Sequence, residues 1–281
     1  MKRILVPVDF SDCSVSALKV AVSIARKTGS EIIMLHLIDL PSGEVGMFEG
    51  GIPTGPAALA LMNKARRQFS ELLEQDFLQG VKAEDYVDFN KPFEGIAEYA
   101  KEKEADLIVM GSHGTTGLDS FFVGSNTEKV VRTSEIPVLV IKKAVETFEL
   151  NNVVYASSFK EEAYKSFDKI LKFIKLYNPK LYLLRINTVT NFLATHESFE
   201  LIDGFIEKYK TELQGISYEK KVYDDYSVQE GIFHFADRVD ADLIALGTHG
   251  RQGLLHFLQD SIAEDVVNKA KRNILTVKMS E

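Results

Sequence analysis

The chain has 281 residues, 45% hydrophobic and 26% charged, with one cysteine and a net charge of −8. That length predicts about two domains, each able to bury a core without disulfides or structural metals. The acidic excess is shared, with 16 basic and 20 acidic side chains in residues 1–145 against 17 and 21 in residues 146–281. Neither half offers a basic footprint for nucleic acid, so a phosphate ligand would have to be held by local backbone geometry. The lone Cys13 excludes an intramolecular disulfide and suits a reducing compartment. The opening MKRILVPVDFSD is too short for a signal peptide, and no apolar run approaches the ~18 residues of a membrane span. A cytoplasmic, soluble protein with no membrane partner is expected.

In chain order, Ile4-Leu5-Val6-Pro7-Val8 reads as a strand, followed by Val15, Leu18, Val22 and Ala25 at helical spacing. Ser11 is placed to cap that helix and Gly29 to end it, and Glu31–Leu37 is the next strand. The second half opens the same way: strand Val153–Ala156, a helix through Ala163, Phe167, Ile170, Leu171 and Ile174, then strand Leu181–Ile186. The offset between halves is 149 residues there, but Glu94-Gly95-Ile96 matches Glu230-Gly231-Ile232 at an offset of 136. The first half thus holds 13 extra residues after its second strand, most simply in the glycine-rich stretch Pro41–Pro56, which is expected to be a mobile loop. Each half closes with a strand, Ile136–Ile141 and Asn273–Val277, and the polar stretch Lys142–Leu150 reads as the link. The order β-α-β-α-β-α-β-α-β with apolar strands predicts an α/β fold, a parallel sheet covered by helices on both faces. Residues 1–145 and 146–281 are the expected domains.

A glycine pattern occurs in both halves. Residues 106–126 read DLIVMGSHGTTGLDSFFVGSN, in which Gly111-x-x-Gly114 is followed after nine residues by Gly124-Ser125. Residues 242–262 keep Gly247-x-x-Gly250 but carry Asp260 in place of the last glycine. In the first copy, glycines after a strand let backbone approach a ligand without a Cβ in the way. Gly124-Ser125-Asn126 then opens a helix whose free N–H groups suit an anion. Asp9, at the sister strand end, is placed to accept from a ribose or hold a metal-bound water. A tight turn is the bland alternative for Gly-x-x-Gly alone. Neither a Walker lysine nor GxGxxG is present.

ILVPVDFS, the strand end LHLID, and the run EADLIVMGSHG…GSNTEKVV…IPVLVIK together resemble the universal stress protein family in tandem form. The resemblance covers essentially the whole chain, closely in the first half and loosely in the second. It implies two five-stranded, Rossmann-like domains of the adenine nucleotide alpha hydrolase-like type, and binding of ATP or another adenine nucleotide with Mg. Carried over by position, Pro7, Val8 and Asp9 would line the nucleotide, and Leu37 would offer its backbone to the adenine. Met110, Gly111, His113, Gly114, Gly124, Ser125 and Asn126 would hold ribose and phosphates. Family members pair through their last strands, so the two halves are expected to pair that way with each other; homodimerisation of whole chains stays open.

The second half departs from the pattern, with Ala156 for Pro7, Ser158 for Asp9 and Asp260 for Gly124. A carboxylate about 4 Å from a phosphate costs on the order of 4 kcal/mol at an effective dielectric of 20. A lost left-handed glycine, if the position needs one, adds roughly 1 kcal/mol. No ATP is therefore expected in the second half. His113 and His249 sit at equivalent places, either structural or touching a ligand. His249 and His256 lack a third metal ligand in register. Cys13, in the first turn after Ser11, is either a helix-terminus thiolate or a small inert residue. The basic runs at Lys64–Arg67 and Lys269–Arg272 read as solvated helix faces, and Phe121-Phe122 as loop packing.

Three functions remain open. The first is an ATP-binding stress or regulatory protein with one competent site. The second is a slow ATP hydrolase or self-phosphorylating enzyme using Ser125, disfavoured because no basic residue precedes Lys129 in the motif. The third is a scaffold without nucleotide or with another ligand in the second half.

Overall fold

Residues Ile4, Leu5 and Val6 are fully buried, so β1 (Arg3–Pro7) is covered on both faces. The computed structural model describes residues 1–39, 48–49, 52–53, 55–89, 92–112, 124–142, 147–249 and 257–279. After β1 come α1 (Asp12–Thr28), β2 (Glu31–Ile38), α2 (Pro56–Leu73), β3 (Ala83–Phe89), α3 (Pro92–Glu102), β4 (Leu107–Gly111), α4 (Ser125–Thr133) and β5 (Val138–Ile141). The second half repeats this as β6 (Asn152–Ala156), α5 (Tyr164–Ile174), β7 (Lys180–Asn187), α6 (Thr195–Lys208), β8 (Tyr218–Asp224), α7 (Val228–Arg238), β9 (Leu243–His249), α8 (Phe257–Lys269) and β10 (Asn273–Met279).

The ten strands form one sheet in the order β8-β7-β6-β9-β10-β5-β4-β1-β2-β3. Each half is a five-stranded parallel unit in the order 3-2-1-4-5, with helices on both faces. One face packs Ile4, Val6, Leu18, Phe69, Phe167 and Phe205; the other packs Leu5, Ile96, Ile108, Val130, Ile232 and Val266. The outer strands β3 and β8 differ from the expected apolar pattern. They carry Glu84, Asp85 and Asp88, and Glu219, Lys220 and Lys221, charges that keep an unpaired edge from templating another strand.

The units join where β5 and β10 run antiparallel, with Leu139 opposite Leu275, Val140 opposite Ile274 and Val138 opposite Thr276. Leu139 and Leu275 are themselves 136 residues apart, the offset of this part of the repeat. The seam is thus isologous within one chain, equivalent residues meeting across a local two-fold. Asn273 Oδ1 accepts from the Lys142 N–H at 3.0 Å, and Arg132 pairs with Glu264 at 3.5 Å across the same boundary.

Ser11 caps α1, its hydroxyl accepting from the Ser14 N–H, and Gly29 ends it at φ 71°. The first half's extra length shows partly in the β2–α2 connection, residues 39–55 against 188–194, and partly in α2, which has 18 residues against 14 in α6. Most of Pro41–Pro56 lies outside the described residues; within it Phe48–Glu49 and Ile52–Pro53 pair as two short antiparallel strands. The link is less polar than its composition suggested, because Phe148 and Leu150 are buried in the core. Among the described residues no helix is long and apolar enough to cross a membrane.

Candidate functional site

The chain runs from β1 out to β3 on one side, then crosses back to place β4 on the other. The crevice between the carboxyl ends of β1 and β4 is therefore a topological switch point, where ligands of open α/β sheets bind. Four of the residues expected at the site lie there on short contacts. The Gly124 N–H donates to the Ser112 carbonyl at 2.7 Å, pulling the start of α4 against the end of β4. The buried Thr127 hydroxyl, not foreseen, donates to the Gly111 carbonyl at 3.0 Å and locks the same junction. Gly124 is the N-cap of α4 and supplies no side-chain cap. The first N–H groups of the helix, from exposed Ser125 and Asn126 and from Thr127, thus stay outside the helical ladder. Gly124 sits at φ −63° and ψ 144°, so no left-handed backbone is needed and that part of the expected glycine penalty does not apply.

At β1, Asp9 Oδ1 accepts from the Ser11 N–H at 3.1 Å and from the Ser11 hydroxyl at 2.6 Å, shaping the turn into α1. Pro7 is half-buried beside it. The Val8 side chain is buried, its N–H donates to the Leu35 carbonyl at 2.8 Å, and its own carbonyl lies 2.7 Å from His36 Nδ1. Met110 also packs its side chain into the core, so it and Val8 have only backbone to offer. Leu37 is half-buried at the end of β2, beyond Leu35, the last residue paired with β1. Phe10 holds φ 63° and its counterpart Phe159 φ 58°, an unusual conformation for bulky residues. Each is held by ring packing, on His36 and Phe69 and on Tyr155 and Phe205. His113, Gly114, Phe121-Phe122, Gly250 and His256 lie outside the described residues.

Gly111 has a further role. A Cβ there would lie 2.8 Å from Cys13 Sγ and 2.9 Å from the Cys13 carbonyl oxygen. The glycine lets the first turn of α1 close onto β4, so it serves packing as well as any ligand. Gly111→Ala is expected to cost about 1–3 kcal/mol. Gly247→Ala should cost less, because its nearest neighbours are the Ser166 hydroxyl at 2.7 Å and the pliable Met279 thioether at 3.0 Å. Urea denaturation of the two variants measures the difference.

A cation unforeseen in the sequence, Lys142, follows β5, where Nζ donates to the Asn268 carbonyl at 3.4 Å. Burial pushes its pKa down to about 8, partly offset by Cys13. Between about pH 8 and the ordinary lysine range the unfolded chain holds a proton that the folded chain has released, so stability rises with pH across that window. Lys142→Met is expected to stabilise the protein at pH 7 by about 1–2 kcal/mol, after allowing for solvent contact and the lost hydrogen bond. The gain should fade above about pH 10 in thermal melts.

The second half arranges the same crevice differently. β9 continues through Gly247 to His249, pairing with β10 as far as Met279, whereas β4 stops at Gly111. α8 begins at Phe257, so residue 260 lies inside the helix, where its counterpart Gly124 stands before α4. Strand and helix thus both run further at this end of the second half than their counterparts do in the first. Ser158 Oγ takes the place of the Asp9 carboxylate, accepting from the Lys160 N–H at 3.4 Å. Among the described residues no group of three or more His, Cys, Asp or Glu is placed to hold a metal ion.

The family model of the universal stress proteins matches the chain twice, over residues 1–142 and 149–278. Universal stress protein MJ0531 of Methanocaldococcus jannaschii is 34% identical over 151 residues, covering 50% of this chain and 82% of its own. Universal stress protein E of Photorhabdus laumondii is 25% identical over 307 residues, covering 99% of this chain and 95% of its own. Among solved structures, a universal stress protein from Archaeoglobus fulgidus shares the fold with a TM-score of 0.76 at 20% identity, over 99% of this chain and 98% of that one. The chain therefore belongs to the universal stress protein family and carries two copies of its domain in tandem.

Proposed function

We propose that this is a cytoplasmic stress-response or regulatory protein that binds ATP, or another adenine nucleotide, at one site in its first domain, residues 1–145, and not in its second, residues 146–281. The observation that carries this is the Gly124 N–H to Ser112 carbonyl bond, which sets an uncapped helix N-terminus against the end of β4 at the switch point. The donor set fits a phosphate chain, with Ser125, Asn126 and Thr127 presenting backbone N–H groups and Gly124 fixing where they point. Asp9 is the carboxylate placed for a ribose hydroxyl or the hydration shell of Mg, and Leu37 offers backbone at the adenine end. His113 and Gly114 would complete the cradle from the glycine loop. Bound Mg would neutralise phosphate charge that these residues meet only with dipoles.

The role is binding, not efficient turnover. Phosphoryl transfer needs cations aimed at the transferred group, and no lysine or arginine stands among Gly124–Glu128. The antiparallel β5–β10 pairing supports association of the two domains through their last strands. Isothermal titration of the nucleotide-stripped protein with Mg·ATP is expected to give about one equivalent. Two equivalents would overturn the one-site assignment. No binding would overturn the nucleotide reading and leave a scaffold.

A further inference from the structure

In the second domain a cavity of about 120 Å³ lies at the carboxyl ends of β6 and β9, bounded by Ser157, Ser158, Arg185, Ile232, Gly247 and Ala263. Its size equals roughly four waters at about 30 Å³ each, far below the roughly 300–1,000 Å³ of sites for larger ligands. Arg185 is only 1% exposed, yet among the described residues no carboxylate pairs with it. Nε donates to the Ser198 hydroxyl at 3.3 Å, and one terminal nitrogen to the Ser158 carbonyl at 3.1 Å. The other reaches Asn191 Oδ1 at 3.5 Å. All three acceptors are neutral, and a guanidinium carries five donor hydrogens. Burial weakens its hold on the proton.

The first domain shows what the fold itself requires at this position. Arg185 is equivalent to His36, whose hydrogen bond to the Val8 carbonyl ties the second strand to the turn after the first. Arg185 makes a comparable contact one position further along that turn, to the Ser158 carbonyl. A single ring N–H suffices for that task, so the further donors and the fixed charge of Arg185 are surplus to it, and burying an unbalanced charge is costly. Most of the remaining wall is apolar, including Leu184, Ile186 and Leu246. Among the described residues on the wall the one carboxylate, Glu162, is exposed, where water and salt screen it.

We propose that this cavity binds a small organic anion, a carboxylate or phosphomonoester with a short apolar body, whose oxyanion neutralises Arg185. The apolar walls take the body, and the guanidinium fork matches two oxygens of the head. The inference is independent of nucleotide binding in the first domain.

The test uses the full chain labelled at its methionine methyl groups, with Met279 on the cavity wall as the local reporter. Butyrate and propyl phosphate are titrated at constant ionic strength, with n-butanol as the uncharged control. At least one anion is expected to shift the Met279 signal saturably in the millimolar range, and n-butanol is not. Arg185→Met should weaken binding roughly tenfold or more. Ile232→Phe, which keeps Arg185 but fills the cavity, should abolish it, and this variant decides the matter if Arg185→Met does not fold. Absence of a saturable shift with both anions, an equal response to n-butanol, or undiminished binding in the folded variants would overturn the proposal.

Discussion

Gly124→Asp should abolish nucleotide binding while leaving the ligand-free protein as stable as before or more so. Gly124 is the N-cap of α4 with an ordinary extended backbone, so aspartate enters without strain. Aspartate is among the best N-cap residues, since its carboxylate accepts from the N–H groups of the first turn. Those are the groups offered to a phosphate, so the new side chain fills the anion site and repels the ligand at once. At about 4 Å the repulsion alone is on the order of 4 kcal/mol at an effective dielectric of 20, close to a thousandfold in affinity. Titration with Mg·ATP together with a thermal melt reads both effects. Lost binding with lost stability would mean that the substitution merely unfolds the domain. The reverse change, Asp260→Gly, should restore no nucleotide binding. The second half lacks more than a glycine there, since α8 already runs through position 260 and β9 runs past Gly247. A second equivalent of ATP bound by Asp260→Gly would show that the carboxylate alone retired the site.

The second large effect is expected at the seam. Leu139 and Leu275 face one another at the centre of the β5–β10 pairing, and both are fully buried. Truncating a buried leucine costs about 2–5 kcal/mol, from lost transfer energy and the cavity left behind. Leu139→Ala and Leu275→Ala should fall in that range and near one another, because the local two-fold gives them equivalent surroundings. The double variant should depart from the sum by about 0.5–3 kcal/mol, since the two residues meet. Urea denaturation checks all three, with Leu61→Ala on the exposed face of α2 as a control expected within about 0.5 kcal/mol of the parent. Additive losses at the seam would mean that the two strands do not share one packed core.

Much of the fold was legible in the chain. Period-2 and period-3.6 patterns depend on near neighbours, so strands such as Ile4–Val6, the helix from Val15 to Ala25, and its caps Ser11 and Gly29 follow from local chemistry. The repeat itself, two offsets of one α/β unit, needed only comparison of the chain with itself. The candidate site was legible as far as it rests on local turns, in Asp9 after one strand and Gly124-Ser125 before one helix. Other features depended on groups distant in sequence. Gly111 packs against Cys13, Thr127 locks the Gly111 carbonyl, and the charge of Arg185 is buried without a counterion among the described residues. The sequence by itself thus determined the elements, their order and the intact glycine motif, because these are set by residues close along the chain. Only the tertiary structure decided that β5 and β10 join the halves into one sheet, that α8 and β9 run further than α4 and β4 do, and that Arg185 faces a cavity at the ends of β6 and β9. Those outcomes are set by which surfaces meet, and burial and charge compensation have no local pattern in the chain.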